Sequence, residues 1–188
     1  MKGRFTSNER RSDEKVRSFV EGVDCHTNIA VRASYGLGKT YYGMRPLIQK
    51  CNARYETVLF VTEKVSLAHH LTATLGLENY NDIHGTISPE NNHSVAVQLD
   101  SLHPIHGHYD TIVLDEHRSL LSSMTNPTML KNCTLVIATL ITQLRHAKNI
   151  IIADADLSDE CVELIKKVAS KKFHEINYTH KNLKDNPS

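Results

Sequence analysis

Residues 33–40 read Ala33-Ser34-Tyr35-Gly36-Leu37-Gly38-Lys39-Thr40 and form the part of the chain best suited to chemistry on a charged ligand. Two glycines let backbone N–H groups turn inward and approach an anion with no Cβ in the way. A lysine and a hydroxyl follow at once. Lys39 reaches the β- and γ-phosphates of a nucleotide as a point charge, and Thr40 supplies an oxygen to Mg2+. A helix starting here would add its positive N-terminal end. The pattern ordinarily begins with glycine; Ala33 is small enough for the same tight turn while its φ stays negative.

A second stretch, Thr111-Ile112-Val113-Leu114-Asp115-Glu116-His117-Arg118, carries two adjacent carboxylates after an apolar run. Asp115 suits Mg2+, through water, and Glu116 suits polarising an attacking water. A buried strand of a parallel sheet reads this way, and in such sheets ligands bind beyond the carboxyl ends of the strands. Alone, either stretch could be an ordinary turn. Together they point to a nucleotide-hydrolysing site using Mg2+.

These residues need strands to carry them. Asn28–Ala33 is apolar and β-prone and leads into the glycine loop, and Thr40–Ala53 can be helical, so the order is that of a P-loop. Thr57–Thr62, Val95–Gln98, Thr111–Leu114, Asn149–Ala153 and Phe173–Tyr178 read as further strands. Helices are expected over 12–22, over 65–75 with Gly76 as its C-terminal stop, over 133–147 and over 158–170, with a helix or turn over 119–126. Residues 77–93 read as polar and irregular. Strands alternating with helices give an α/β fold with a mostly parallel central sheet and helices on both faces, which with the P-loop order is a three-layer P-loop NTPase domain. The expected organisation is a flexible polar arm over 1–20, the P-loop nucleotide-hydrolysing domain over 21–180, and a polar tail over 181–188.

Composition narrows the alternatives. The 188 residues suit one domain, and 40% hydrophobic with 23% charged residues is ordinary for a globular protein. The 22 basic and 21 acidic side chains leave a net charge of +1, so bulk charge gives no sign of nucleic-acid binding. No tryptophan is present and aromatics are 6%, which disfavours an extended base-stacking platform. Four scattered cysteines and twelve histidines lack zinc-finger spacing, so reduced, mostly buried thiols are expected, and His103, His106 and His108 read as a polar loop. The first twenty residues have no apolar core of a signal peptide and no run is long enough to span a membrane; by elimination the expected location is intracellular, nuclear or cytoplasmic.

The order of motifs resembles the first RecA-like domain of a superfamily 2 DNA helicase. More narrowly, residues 27–180 resemble the herpesviral-type replication origin-binding protein family. The resemblance rests on Ala33–Thr40, on 58–67 (Val-Leu-Phe-Val-Thr-Glu-Lys-Val-Ser-Leu), which is similar to motif Ia, and on Gln98-Leu99-Asp100-Ser101-Leu102. It continues through Tyr109–Glu116 to Ala153-Asp154-Ala155-Asp156-Leu157, at the place of motif III. It implies ATP-dependent work on DNA in replication. It also implies DNA-backbone contacts from Lys64 and Ser66, and a role for Asp154 and Asp156 in coupling nucleotide state to domain movement. Acidic residues before a helix also complement its dipole, which is the competing reading of that pair. Motif Ia of the family ordinarily carries arginine, where this chain has Glu63-Lys64-Val65. Such a motor closes its ATP site with a second RecA-like domain, in cis or trans, whose arginine is worth about 10³–10⁵ in rate in related NTPases. With no room for that domain before Ser188, weak activity alone and no unwinding are expected. In the resembling family, sequence-specific origin binding lies elsewhere, so none is expected here. Two other readings remain: a non-catalytic or truncated P-loop interaction module, and a small P-loop kinase. A kinase lid would need several arginines, and the C-terminal third has only Arg145.

Overall fold

The computed structural model describes residues 27–33, 44–62, 72–102, 105–115 and 130–178. Seven strands make one sheet: β1 (Asn28–Ala33), β2 (Val58–Thr62), β3 (Glu78–Asn79), β4 (Ser94–Gln98), β5 (Thr111–Asp115), β6 (Asn149–Asp154) and β7 (Phe173–Tyr178). Their order is β3-β4-β2-β5-β6-β1-β7, and every pairing is parallel. Three helices are described over most of their length: α1 (Arg45–Ala53), α2 (Leu130–His146) and α3 (Asp159–Ala169).

The central strands are continuous apolar runs because both faces of the sheet are covered. On one face Met44, Leu47, Ile48 and Cys51 of the α1 segment, with Leu75, pack on Ile29, Phe60, Val113 and Ile151. On the other, Val136, Leu140 and Leu144 of α2 and Cys161, Val162 and Ile165 of α3 pack on Leu59, Val61, Leu114 and Ile152. Alternation along each strand therefore assigns every residue to a face.

Local chemistry sets the ends of the helices. Met44 already has helical torsions (φ −73°, ψ −41°), and Pro46 falls in the first turn of α1, where its missing N–H costs nothing. Ser158 caps α3 by accepting from Cys161 N at 3.3 Å, and Asp159 and Glu160 sit in the first turn. The neighbouring helices α2 and α3 cap each other's carboxyl ends: Arg145 Nε donates to Val168 O at 3.2 Å, and Lys171 Nζ donates to Leu144 O at 3.2 Å and to Ala147 O. Gly76 ends its helical turn at φ +71°, a conformation that suits glycine.

Expectation and structure differ at a few places. Residues 77–93, read as irregular, contain the two-residue strand β3 and a 3₁₀ turn over Tyr80–Asp82. α2 begins at Leu130, before the expected 133. β6 runs one residue further, to Asp154, and α3 spans Asp159–Ala169 between its caps Ser158 and Ser170. The expected helices at 12–22 and 119–126, the arm over 1–20 and the tail over 181–188 lie outside the described residues. Among the described residues Cys51 and Cys161 are buried free thiols, and no helix is long and apolar enough to cross a membrane.

Candidate nucleotide site at the carboxyl edge of the sheet

Register brings the candidate residues to one edge. Thr62 pairs with Gln98 across β2 and β4, and Val61 pairs with Leu114 across β2 and β5. Asp115 pairs with Ala153, and Val31 pairs with Ala153 on its other side. One row therefore crosses the carboxyl edge: Gln98, Thr62, Asp115, Ala153, Val31. Ala153 packs in the α1-side cluster with Val31 against it, so the whole row faces α1. β1 ends two residues beyond Val31, at Ala33, where the glycine loop starts. With strands about 4.8 Å apart and β6 between them, the axes of β1 and β5 lie about 10 Å apart. Ala33 and Asp115 thus share one end of the sheet.

Asp115 is 5% exposed and has interaction partners. Thr62, level with it on the next strand, is 1% exposed, and its Oγ1 has no hydrogen-bond partner among the described residues. A carboxylate and an unmatched hydroxyl side by side are hard oxygen donors, the chemistry that Mg2+ accepts; Mg2+ sites commonly need only one or two protein oxygens beside substrate phosphates and water. The residues present fit that ion. Among the described residues no group of three or more His, Cys, Asp or Glu side chains could hold a metal, so a protein-only metal cage, including one around His106 and His108, has no support there.

Asp154 and Asp156 separate. Asp154 lies one residue past Ala153, on the opposite face from Asp115. It is buried, and its Oδ1 accepts from Asp156 N at 3.1 Å, turning the chain toward α3. Burial, and then the charge of Asp154, push the Cys161 thiol up to about 11. Asp156 is exposed. Arg32, paired in register with Asp154, reaches Asp159 of α3 and Glu175 of β7 on that same face. Segment 154–159 is thereby tied to the strand that enters the glycine loop.

The rest of the expected site cannot be placed in this way: Ser34–Thr40, with Lys39 and Thr40, Glu116, Lys64 and Ser66 lie outside the described residues. Sequence reasoning did not single out Thr62, level with Asp115, or Arg32 as a tie. A polar residue closing the otherwise apolar run Val58–Val61 was the available signal for Thr62.

At the opposite, amino edge a polar lock fixes this register. Asp110 Oδ2 accepts from Thr57 N at 2.9 Å and from Thr57 Oγ1 at 3.0 Å, and Asp110 Oδ1 meets Lys148 Nζ at 2.9 Å. Burial raises the Asp110 pKa; the Thr57 N–H, Lys148 and the Thr57 hydroxyl outweigh it and hold the carboxyl below its ordinary value.

Comparison with known proteins agrees with this fold. A crystal structure of a DEAD box protein from Methanococcus jannaschii superposes with a TM-score of 0.59 at 16% identity, over 96% of this chain and 56% of that one. The Sulfolobus solfataricus SWI2/SNF2 ATPase core in complex with double-stranded DNA superposes at 0.53 and 12% identity, over 100% and 47%. At such identities the likeness is one of fold, that of helicase RecA-like domains. In sequence, the chain is 28% identical over 137 residues to the replication origin-binding protein of human herpesvirus 6B and 30% identical over 139 residues to that of human herpesvirus 6A. In each case 71% of this chain is matched, and the chain spans 17% of the relative's length. The family profile described as origin of replication binding protein matches residues 5–180. The chain belongs to the origin of replication binding protein family.

Proposed function

We propose that residues 21–180 form the ATP-binding and hydrolysing first RecA-like domain of a DNA helicase acting in replication, which works as a motor only with a second such domain. One observation carries the reading: β1, which leads into Ala33–Thr40, and β5, which ends at the buried Asp115, finish at the same edge of an all-parallel sheet. Family membership and the helicase fold support it.

In this reading the N–H groups of 33–40 and the Lys39 ammonium hold the phosphates, and Thr40 and Asp115 hold Mg2+. Glu116 orients and polarises the attacking water. A bound divalent cation supplies Lewis-acid neutralisation of the phosphate charge. Asp154 and Asp156, carried on the segment that joins β6 to α3, relay nucleotide state toward the partner domain, and Lys64 and Ser66 touch the DNA backbone. The partners are then DNA, read without sequence preference by this chain, and the second domain; the site of action is where DNA is replicated, in nucleus or cytoplasm.

The test is Mg2+-dependent ATP binding by the purified chain against Lys39→Ala. Micromolar binding that the variant loses supports the reading. Equal behaviour of the two proteins refutes it. Binding without turnover, even with DNA and a second RecA-like domain supplied, would favour the non-catalytic interaction module instead.

A further inference from the structure

We propose that Thr62 is a positioning residue of the nucleotide site: its hydroxyl serves the Asp115 carboxylate and the hydration shell of the divalent cation held there. The proposal rests on the nucleotide reading above. Three observations support it.

The first is the orphan itself. Among the described residues four buried side chains carry a polar atom without a partner: Arg32 Nε, Thr62 Oγ1, Asn92 Oδ1 and Asn149 Oδ1. The other three belong to groups that are bonded through a different atom: Arg32 to Asp159, Asn92 to Glu78, Asn149 to Thr111. Thr62 has one polar side-chain atom, and it is unmatched. Buried hydroxyls ordinarily find an acceptor, and one that does not lowers the stability of the fold.

The second is what the position would hold on packing grounds. Val58, Leu59, Phe60 and Val61 are all fully buried, and Thr62 continues that strand. Valine has the same branched shape with a methyl in place of the hydroxyl, so the strand would be at least as stable with valine. The hydroxyl is therefore a local cost that packing does not explain.

The third is direction. Thr62 lies in the row that faces α1, between Gln98 and Asp115. Gln98 Oε1 is engaged by the Tyr80 hydroxyl at 3.1 Å. Asp115, one strand away at about 4.8 Å and on the same face, is the carboxylate of the site. A hydroxyl there can donate to a carboxylate oxygen or meet a water of the cation's shell, and either fixes the carboxylate for metal binding.

The experiment uses the 188-residue chain as wild type, Thr62→Val and Thr62→Ser, with two readouts. Thermal unfolding is followed without nucleotide. Binding of a fluorescent ATP analogue is titrated in Mg2+ and in EDTA. The expected result is a Tm for T62V equal to or above wild type, unchanged binding in EDTA, and Mg2+-dependent affinity weakened about 10-fold or more. T62S should retain the Mg2+ response. If the wild type responds to Mg2+ and T62V responds equally, Thr62 has no role and the nucleotide reading stands. If T62V loses stability or fails to fold, the hydroxyl is structural and the proposal is overturned. If the wild type shows no Mg2+-dependent binding, the nucleotide reading falls and the role of Thr62 with it.

Discussion

Replacing Asp110 by alanine should destabilise the protein by about 2–4 kcal/mol at pH 7. The carboxylate accepts from the Thr57 N–H and hydroxyl at the start of β2, and hydrogen bonds to a charged group are worth about 1.5–3 kcal/mol each. The side chain is 25% exposed, so water replaces part of that loss. The Lys148 contact adds only about 0.2–1 kcal/mol, since that ammonium is over half exposed. Asparagine keeps an oxygen for the Thr57 N–H and should lose about half as much. For a chain of this size the alanine variant should melt roughly 5–15 °C lower. The pH dependence follows from the depressed carboxyl. Its stabilisation is fully present above the unfolded value, about pH 4, and disappears as pH falls through the lower folded value. Urea unfolding followed by circular dichroism should thus give a constant gap between wild type and D110A from pH 7 to pH 5, narrowing below pH 4. A gap under about 0.5 kcal/mol at pH 7, or one that persists unchanged into acid, refutes the account.

Phe60 is fully buried in the α1-side cluster, and F60A should cost about 3–5 kcal/mol in chemical denaturation. Gly107 has φ +75°, and a Cβ there would meet Pro89 Cδ at 3.1 Å; G107A should cost at least ~1–2 kcal/mol, read as a lower Tm. Ser158→Ala removes the cap of α3 and should cost about 1 kcal/mol, while Ser158→Asp should preserve the Tm. Lys171→Met leaves Leu144 O and Ala147 O without their ammonium, and faster amide exchange should appear at the carboxyl end of α2 before that of α3.

The central strands β2, β5 and β6 were legible because their whole length is buried. Thr111–Leu114 and Asn149–Ala153 have β-branched or apolar residues at nearly every position, a pattern that needs no tertiary knowledge to interpret. Gly76 and Ser158 marked helix ends by their own backbone and side-chain chemistry. β3 was not legible. Glu78 and Asn79 have low strand propensity and are held there by β4, with Asn92 Nδ2 donating to Glu78 at 2.9 Å. The site divided in the same way. The placing of Asp115 at a buried strand end follows from the apolar run before it, whereas the placing of Thr62 level with it depends on which strands flank β2. That order is set by contacts between distant parts of the chain, as is the lock between Thr57 and Asp110.

Of the described strands, the one that enters the glycine loop is made first and paired last. Asn28 accepts from Ile150 N, 122 residues on, and donates to Lys172 O, 144 residues on. β1 has no other neighbours in the sheet than β6 and β7. During synthesis at about 5–20 residues per second, β1 waits roughly 6–24 s for its first partner, while β2, β4 and β5 can already pair. A ribosome-bound product stopped short of residue 149 would carry Asp115 and the whole glycine loop yet have nowhere to seat β1. The topology therefore acts as a completeness check, leaving β1 without a seat in the sheet until β6 and β7 have been made.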